Sequence, residues 1–409
     1  MCGPPEKPPL RRVYAKGLIV MALIAGAVWF VEKLGWLYGL ETAGLDTFVR
    51  QEAGPPSDRI YIVKITDDDY ARYFKSTSPL DAQQLGTLIQ NVVKVNPAVI
   101  GIDVDTSDPR FQPLADRFRL DREQRVVWAR VPQHVPSTPI EAEEPLGALT
   151  PVMGRDPRAG MRFGVPLFPF EPDGAVRRYR RTYESSAGPA DSLPWSVVKT
   201  IPKPPPHGGD EVILKYRGRD HFPALDARQF LDDFHAEDPR WKLLNDKIVL
   251  IGGSYSAARD EYATAIGRIP GVELIATAVE GDLMDDSIRE FSAAGGLAME
   301  LAIGSLVVLL FYYSPSIRIA FWLSVLITIA LAVGGSKLLF RSATYWVNFV
   351  PILVGMIAHQ LIDHGERHRE LQHELHEACA EIKKLERELE AKSAEAAPPR
   401  PPIPEARPE

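Results

Sequence analysis

The chemistry-bearing residues of this 409-residue chain fall into three sets. The first is acidic: Asp67, Asp68 and Asp69 form a run, and Asp103 and Asp105 follow a second apolar stretch. Carboxylates at the carboxyl ends of parallel strands face a binding crevice, so Asp67, Asp69, Asp103 and Asp105 are candidates for holding a cation or ligand hydroxyls. Aspartates after strands also cap helices and close turns, which is the competing structural reading. The second set is basic, with Arg177, Arg178, Arg180 and Arg181 arranged around Tyr179. Strand alternation places Arg177, Tyr179 and Arg181 on one face. Guanidinium forks there suit a carboxylate or phosphate ligand, and they serve equally as a charged strand edge or as partners for nearby acids. The third set lies in Ile248–Ser256, a strand feeding a glycine pair and then Ser254, which approaches a nucleophile elbow. Ser256 occupies the place of the second small residue, and no histidine-bearing segment offers a base, so the pattern argues against a hydrolase. The alternative is a tight turn that brings Asp260 near the crevice.

Elements able to position these residues are legible. Arg59–Ile65 is a β-branched run, Ala82–Val95 carries Leu85, Leu88, Ile89, Val92 and Val93 at helical spacing, and Ala98–Val104 is a second buried strand. Strand, helix, strand with short joints predicts parallel pairing. Val126–Val131 adds a strand, and 132–157 reads as a proline-rich surface insertion. Pro172-Asp173-Gly174 predicts the turn of an antiparallel hairpin spanning Phe163–Tyr183. Pro194–Lys199 opens a helix, Val212–Tyr216 and Lys247–Gly252 are strands, and Gly271–Met284 is a helix. The expected class is α/β, a mixed sheet with covering helices. His207-Gly208-Gly209-Asp210-Glu211-Val212 imitates a diguanylate-cyclase signature, but in a proline-rich loop without the surrounding domain, and is read as coincidence.

Four apolar runs frame this soluble segment: residues 18–40, 293–313, 319–340 and 345–362, each near the ~20 residues that cross a bilayer core. Lys7, Arg11, Arg12 and Lys16 precede the first and place residues 1–17 in the cytoplasm, so 41–292 lie outside. Ala25-Gly26-Ala27 also allows a cleaved signal peptide, against which the apolar run continues to Val31. Three further crossings return the chain to the cytoplasm. Lys337 and Arg341 flank a short loop placed outside and run against the charge rule. Glu300 and His359 are ionisable groups within the spans, and Pro351 predicts a kink.

Beyond the last span, Leu371, Leu375, Ala378, Ile382, Leu385 and Leu389 form a heptad seam across residues 365–392, flanked by Glu381, Lys383, Lys384, Glu386, Arg387 and Glu388. A homodimer is expected there, with a single amphipathic helix as the alternative. Residues 393–409 read as an extended proline-rich tail. The composition, 45% hydrophobic with a net charge of −7, speaks against nucleic-acid binding and against a wholly buried transporter. Cys2 and Cys379 both fall on the expected cytoplasmic side, so the outer domain depends on its core and not on disulfides. No cofactor or metal signature is read.

The order Asp46…Arg50, Ile60–Asp69, Ile102-Asp103, Phe163–Arg178 with Asp173-Gly174-x-x-Arg177-Arg178, Leu214–Gly218, Lys247–Gly252 and Pro270–Glu273 resembles the second type of CHASE domain, the cyclase/histidine-kinase-associated sensory extracellular domain. The resemblance covers Leu40 to about Arg289, and one span before and three after is similar to the family's frame. It implies signal reception outside the cell and a cyclase, kinase or phosphodiesterase inside. Ser78-Pro79-Leu80-Asp81 stands where a Trp-Pro-Arg segment is expected, and no output domain is recognised. The expectation is a sensor or adaptor of the bacterial inner membrane that binds an extracytoplasmic ligand and relays it to a cytoplasmic signalling enzyme in trans. A split receptor and an anchored periplasmic enzyme are the other readings.

Overall fold

The computed structural model describes residues 9–395, apart from 115–117, 119–124, 134–148, 151–161, 203, 205–208, 218–220, 233 and 315. Most of the expected insertion at 132–157, the heart of the His207 segment, Cys2 and the tail beyond 395 lie outside the described residues. The chain divides into two compact units: Tyr38–Ala293 with Gly335–Asn348, and the remaining described residues.

In chain order the strands are β1 (Ile60–Ile65), β2 (Val99–Asp103), β3 (Val126–Ala129), β4 (Arg162–Gly164), β5 (Ala175–Val176), β6 (Arg178–Arg180), β7 (Thr182–Ser185), β8 (Gly188–Asp191), β9 (Glu211–Ile213), β10 (Ala224–Asp226), β11 (Ile248–Gly253), β12 (Glu261–Thr264), β13 (Gly267–Pro270), β14 (Arg289–Glu290) and β15 (Tyr345–Trp346). Six of them build the main sheet in the order β10-β1-β11-β2-β3-β4, with every pairing parallel. The expected mixed sheet is thus corrected: antiparallel pairs occur in separate small sheets, β6 with β9, β7 with β8 and β12 with β13. β11 lies between β1 and β2, aligning Ile62 with Leu250 and Leu250 with Gly101. Its continuous apolar run suits a strand covered on both faces, and Ile248 to Gly252 are all buried.

The Ala82–Lys94 helix begins where Asp81 accepts hydrogen bonds from the backbone N–H groups of Gln83 and Gln84 at 3.0 and 3.1 Å. It buries Leu85, Leu88, Ile89 and Val92 in a core shared with Val63, Ile65, Ile100, Ile102 and Trp128. The Gly271–Met284 helix packs on β1 and β11, and residues 271–282 are all buried. Gly252 makes that approach possible, because a Cβ there would lie 2.6 Å from Val272 Cβ.

The expected Phe163–Tyr183 hairpin does not form. Gly174 does turn the chain at φ +76°, but β4 joins β3 in parallel, β5 pairs in parallel with β12, and β6 pairs with β9. The residues expected as an outer loop around Arg341 belong to the α/β unit. β15 pairs in parallel with β14, and Phe48 meets Phe340 and Trp346 edge-on at 5.6 and 5.5 Å between ring centroids. Lys337 and Arg341, the cations at odds with the charge rule, are occupied by Gln51 at 2.8 Å and Glu52 at 3.4 Å.

Among the described residues, three helices are long and apolar enough to cross a membrane: Leu10–Lys33, Ala293–Tyr313 and Arg318–Ala343. The first begins earlier than expected and ends at Lys33, where Gly35 (φ +74°) breaks the run toward Leu40. The third carries a π-helical turn at Ala330–Gly334. The fourth expected span, 345–362, does not stand with these three: its first residues form β15, and the helix that follows, Phe349–Glu395, has its apolar stretch diluted by His359, Gln360 and Asp363. Pro351 falls in its first turn, a position that needs no kink. In this helical unit Lys16 pairs with Glu366 at 2.6 Å, while Val28 and Leu37 pack with Val350. The first and last helices therefore run antiparallel beside each other. Leu23 is 71% exposed and Trp322 69% exposed, an outward apolar surface suited to lipid and costly in water.

Candidate functional site

The candidate site lies at the carboxyl ends of β1, β11 and β2, where parallel α/β sheets open a crevice. Thr66 follows β1 and caps the Asp67–Arg72 helix by accepting from the Asp69 N–H, while Asp69 accepts from the Thr66 backbone and hydroxyl. Asp69 also receives the Arg228 backbone N–H at 3.2 Å and is buried. Its role is a capping box, so it is removed from the ligand candidates. Asp67 accepts the Ser256 backbone N–H at 2.8 Å and the Ser256 hydroxyl at 3.0 Å, stitching the β1 loop to the β11 loop. Asp105 is exposed and accepts the Ser107 N–H at 2.9 Å, closing a turn.

Asp103 and Asp260 differ from these. Both are half-buried, and no described cation pairs with either. Burial pushes the Asp103 carboxyl well up, and the charge of Asp260 adds to it. Burial likewise raises Asp260, partly offset by a hydrogen bond from the Tyr262 hydroxyl. The Asp260 carboxylate sits against Gly271, the first residue of the Gly271–Met284 helix; a Cβ at Gly271 would lie 2.5 Å from Oδ1 and 2.7 Å from Cγ. The helix terminus favours a negative charge there. Two like-charged carboxyls in a shared low-dielectric site cannot both ionise without cost, so the pair favours holding a proton or receiving a donor or cation.

Aromatic rings flank the pair. Tyr255 stacks on Tyr70 at 4.2 Å between centroids, and Tyr262 stacks on Phe170 at 5.8 Å. Burial first, then the charges of Asp260 and Asp103, raise the Tyr262 phenol, and burial with Tyr70 and Asp260 raises Tyr255, so both stay protonated donors. The Ser254 hydroxyl has no hydrogen-bond partner among the described residues, while its backbone N–H donates to Ile65 O at 2.9 Å. The glycine pair before it serves packing, since a Cβ at Gly253 would lie 2.8 Å from the Tyr255 ring. No group of three or more His, Cys, Asp or Glu suited to a metal ion occurs among the described residues.

The arginine set is spent inside the fold. Arg177 is buried and donates to Asp46, Glu171 and Asp173 over 2.7–3.0 Å. Arg178 reaches Glu171 and Glu290, and Arg180 reaches Glu211. Arg181 pairs with the buried Asp282 at 2.6 Å, and Tyr179 donates to the same carboxylate. The facing by alternation is correct, with Arg177, Tyr179 and Arg181 buried, and the guanidiniums of Arg177 and Arg178 are occupied by carboxylates of the same unit. Sequence reasoning missed the Lys64–Glu273–His221 group, with 2.5 Å from Lys64 Nζ and 2.7 Å from His221 Nδ1 to the two carboxylate oxygens. Lys64 lies mid-strand and Glu273 in a helix first turn, and only the fold brings them together.

In the helical unit, Glu300 and His359 meet one face of the last helix. A Cβ at Gly355 would lie 2.9 Å from Glu300 Oε1, and His359 follows one turn later, fully buried. Neither ring nitrogen of His359 has a hydrogen-bond partner; Nδ1 stands 3.6 Å from Asp363. Beside it Gln360 donates across to Thr328 at 2.9 Å. Leu371, Leu375, Ile382, Leu385 and Leu389 are exposed on a continuous helix.

Neither a curated protein nor a solved structure matches this chain. A family model, the CHASE2 domain, matches residues 19–311, more than half of its length. The α/β unit, the ties among Asp46, Asp173 and Arg177 and the apolar helices agree with that match, and the chain belongs to the CHASE2 family of extracellular sensory domains.

Proposed function

We propose that this protein is a membrane-anchored signal sensor. Its α/β unit stands outside the bacterial cell membrane, its Asp103–Asp260 crevice binds a ligand that donates hydrogen bonds or positive charge, and its last helix relays occupancy to a separate cytoplasmic signalling enzyme. The reading assigns the chain no catalysis of its own. The observation that carries it is a carboxyl pair with no described cation at the carboxyl edge of a parallel sheet, walled by Tyr255 and Tyr262. Every other buried acid of that region has a cation or backbone partner.

Four crossings are required. The antiparallel packing of the last helix along the first, from Val350 to Glu366, supports the fourth. Residues 349–366 rise about 27 Å at 1.5 Å per residue, close to the ~30 Å hydrocarbon core. Arg11, Arg12 and Lys16 lie in the first two turns of the Leu10–Lys33 helix, and cations at that end favour the cytoplasmic side.

The test uses the full chain in lipid nanodiscs, screened by thermal shift against organic amines and polyols. A compound that stabilises the wild type and leaves Asp103→Asn/Asp260→Asn unmoved supports the reading. Equal stabilisation of both proteins by every active compound removes the crevice as the site.

A further inference from the structure

The seam on the last helix carries an inference about its partner. Leu371, Leu375, Ile382, Leu385 and Leu389 are between 51% and 72% exposed, and every residue from 371 to 389 is exposed, so no described part of the chain covers this face. The spacing fixes heptad positions: Leu375, Ile382 and Leu389 at a, and Leu371, Ala378 and Leu385 at d. The residues bordering the seam are then Gln372, Cys379 and Glu386 at e, and Glu374, Glu381 and Glu388 at g. Between Leu371 and Leu389 the border therefore holds four carboxylates and no cation, and Arg367, the g position one heptad earlier, would face Gln372 in a parallel pair. Lys383, Lys384 and Arg387 fall at b, c and f, turned away from the seam.

That distribution decides between two occupants. Two copies leaving one membrane in the same direction pair in parallel, and each g position then faces the e position five residues on. Glu381 of one copy would face Glu386 of the second, twice by symmetry, while Glu374 would face Cys379 and Glu388 would face Ser393. The border of a homodimer contains repulsion and no attractive pair, and such flanking charges choose partners. We propose that the seam is occupied by a helix of a different protein, apolar at its own a and d positions and bearing Lys or Arg at e and g. The expected homodimer through this seam becomes the disfavoured state.

The inference rests on the reading of this helix as the cytoplasmic output element, and it deepens that reading by giving the partner's chemistry. The test uses full-length protein in nanodiscs with Cys379→Ser and Ala378→Cys, which puts a thiol at a d position where parallel dimers crosslink. Oxidation is expected to yield little dimer, and adding Glu386→Lys, which sets a cation opposite Glu381, is expected to raise the yield several-fold. In the same nanodiscs a synthetic heptad helix with Lys at e and g is expected to bind the wild-type seam at least tenfold more tightly than one with Glu at those positions. Reversing Glu374, Glu381, Glu386 and Glu388 to Lys is expected to invert that order. Full crosslinking without the charge change, or equal binding of the two peptides, overturns the proposal. Labelling of native Cys379 by an impermeant maleimide in intact cells would instead overturn the output reading, whatever the peptides do.

Discussion

Arg177 closes a bidentate pair on Asp46, 131 positions earlier, with Nε 2.7 Å from Oδ1 and Nη2 3.0 Å from Oδ2. The same guanidinium also reaches Glu171 and Asp173, and the Tyr38 hydroxyl donates to both of those carboxylates at 3.0 and 3.3 Å. The Tyr38–Gln51 helix is thereby riveted to the turn at Gly174. Arg177→Met leaves buried Asp46 with only the looser Arg50 at 3.8 Å and Glu171 with Arg178 alone, and the expected loss is about 3 kcal/mol of stability. Arg177→Lys is expected to recover little, because one ammonium cannot supply the fork. Chemical denaturation of the three proteins in one detergent checks both statements.

The carboxyl pair makes a pH-dependent prediction. Burial, with mutual repulsion, raises Asp103, and burial raises Asp260, so the folded state holds protons that the unfolded chain has released. Their contribution is most favourable below the ordinary carboxylate range and is lost as pH rises through the folded values. Asp103→Asn removes one partner and is expected to stabilise the protein at pH 7 by about 1 kcal/mol, or about 2–4 °C for a domain of this size. The gain should vanish near pH 4. Thermal melts of wild type and variant across pH 4–8 measure it.

Gly271 and Gly252 are held by close approach. A methyl group at Gly271 meets the Asp260 carboxylate, and one at Gly252 meets Val272. Each Gly→Ala change is expected to cost about 1–3 kcal/mol through overpacking. Gly54→Ala, with nothing within 4 Å, should be close to neutral. Melting temperatures of the three variants decide the point.

Phe48 anchors the 335–348 segment through Phe340 and Trp346. Phe48→Ala is expected to cost about 3–5 kcal/mol and to release the pairing of Arg289–Glu290 with Tyr345–Trp346. Faster amide exchange at Phe291, whose N–H donates to Trp346 O at 2.8 Å, is the readout.

What the sequence made legible was local. The runs of β1, β2 and β11 and the spacing of Leu85, Leu88, Ile89 and Val92 follow from burial on one or both faces. The insertion of β11 between β1 and β2 depends on packing between segments well over a hundred residues apart. The same distance hid the arginine partners, because Asp46, Asp282 and Glu290 lie more than 100 positions from the residues they neutralise. The short strands after Gly174 read as one hairpin because their alternation is real, whereas their partners β9 and β12 are remote. Of the crevice, Asp103 and Asp260 were readable as residues at strand ends and loops. That they lack cations while Asp67 and Asp69 are bonded elsewhere emerged only in three dimensions.

In the proposed topology the crevice and the seam face opposite sides of one membrane. The direct test is thiol labelling in intact spheroplasts with an impermeant maleimide, in a Cys2→Ser background, comparing native Cys379 with the Ala257→Cys/Cys379→Ser variant. Ala257 is exposed in the loop after β11. The thiol introduced by Ala257→Cys is expected to react at once, and Cys379 only after the membrane is permeabilised. Labelling of both from the same side would contradict it.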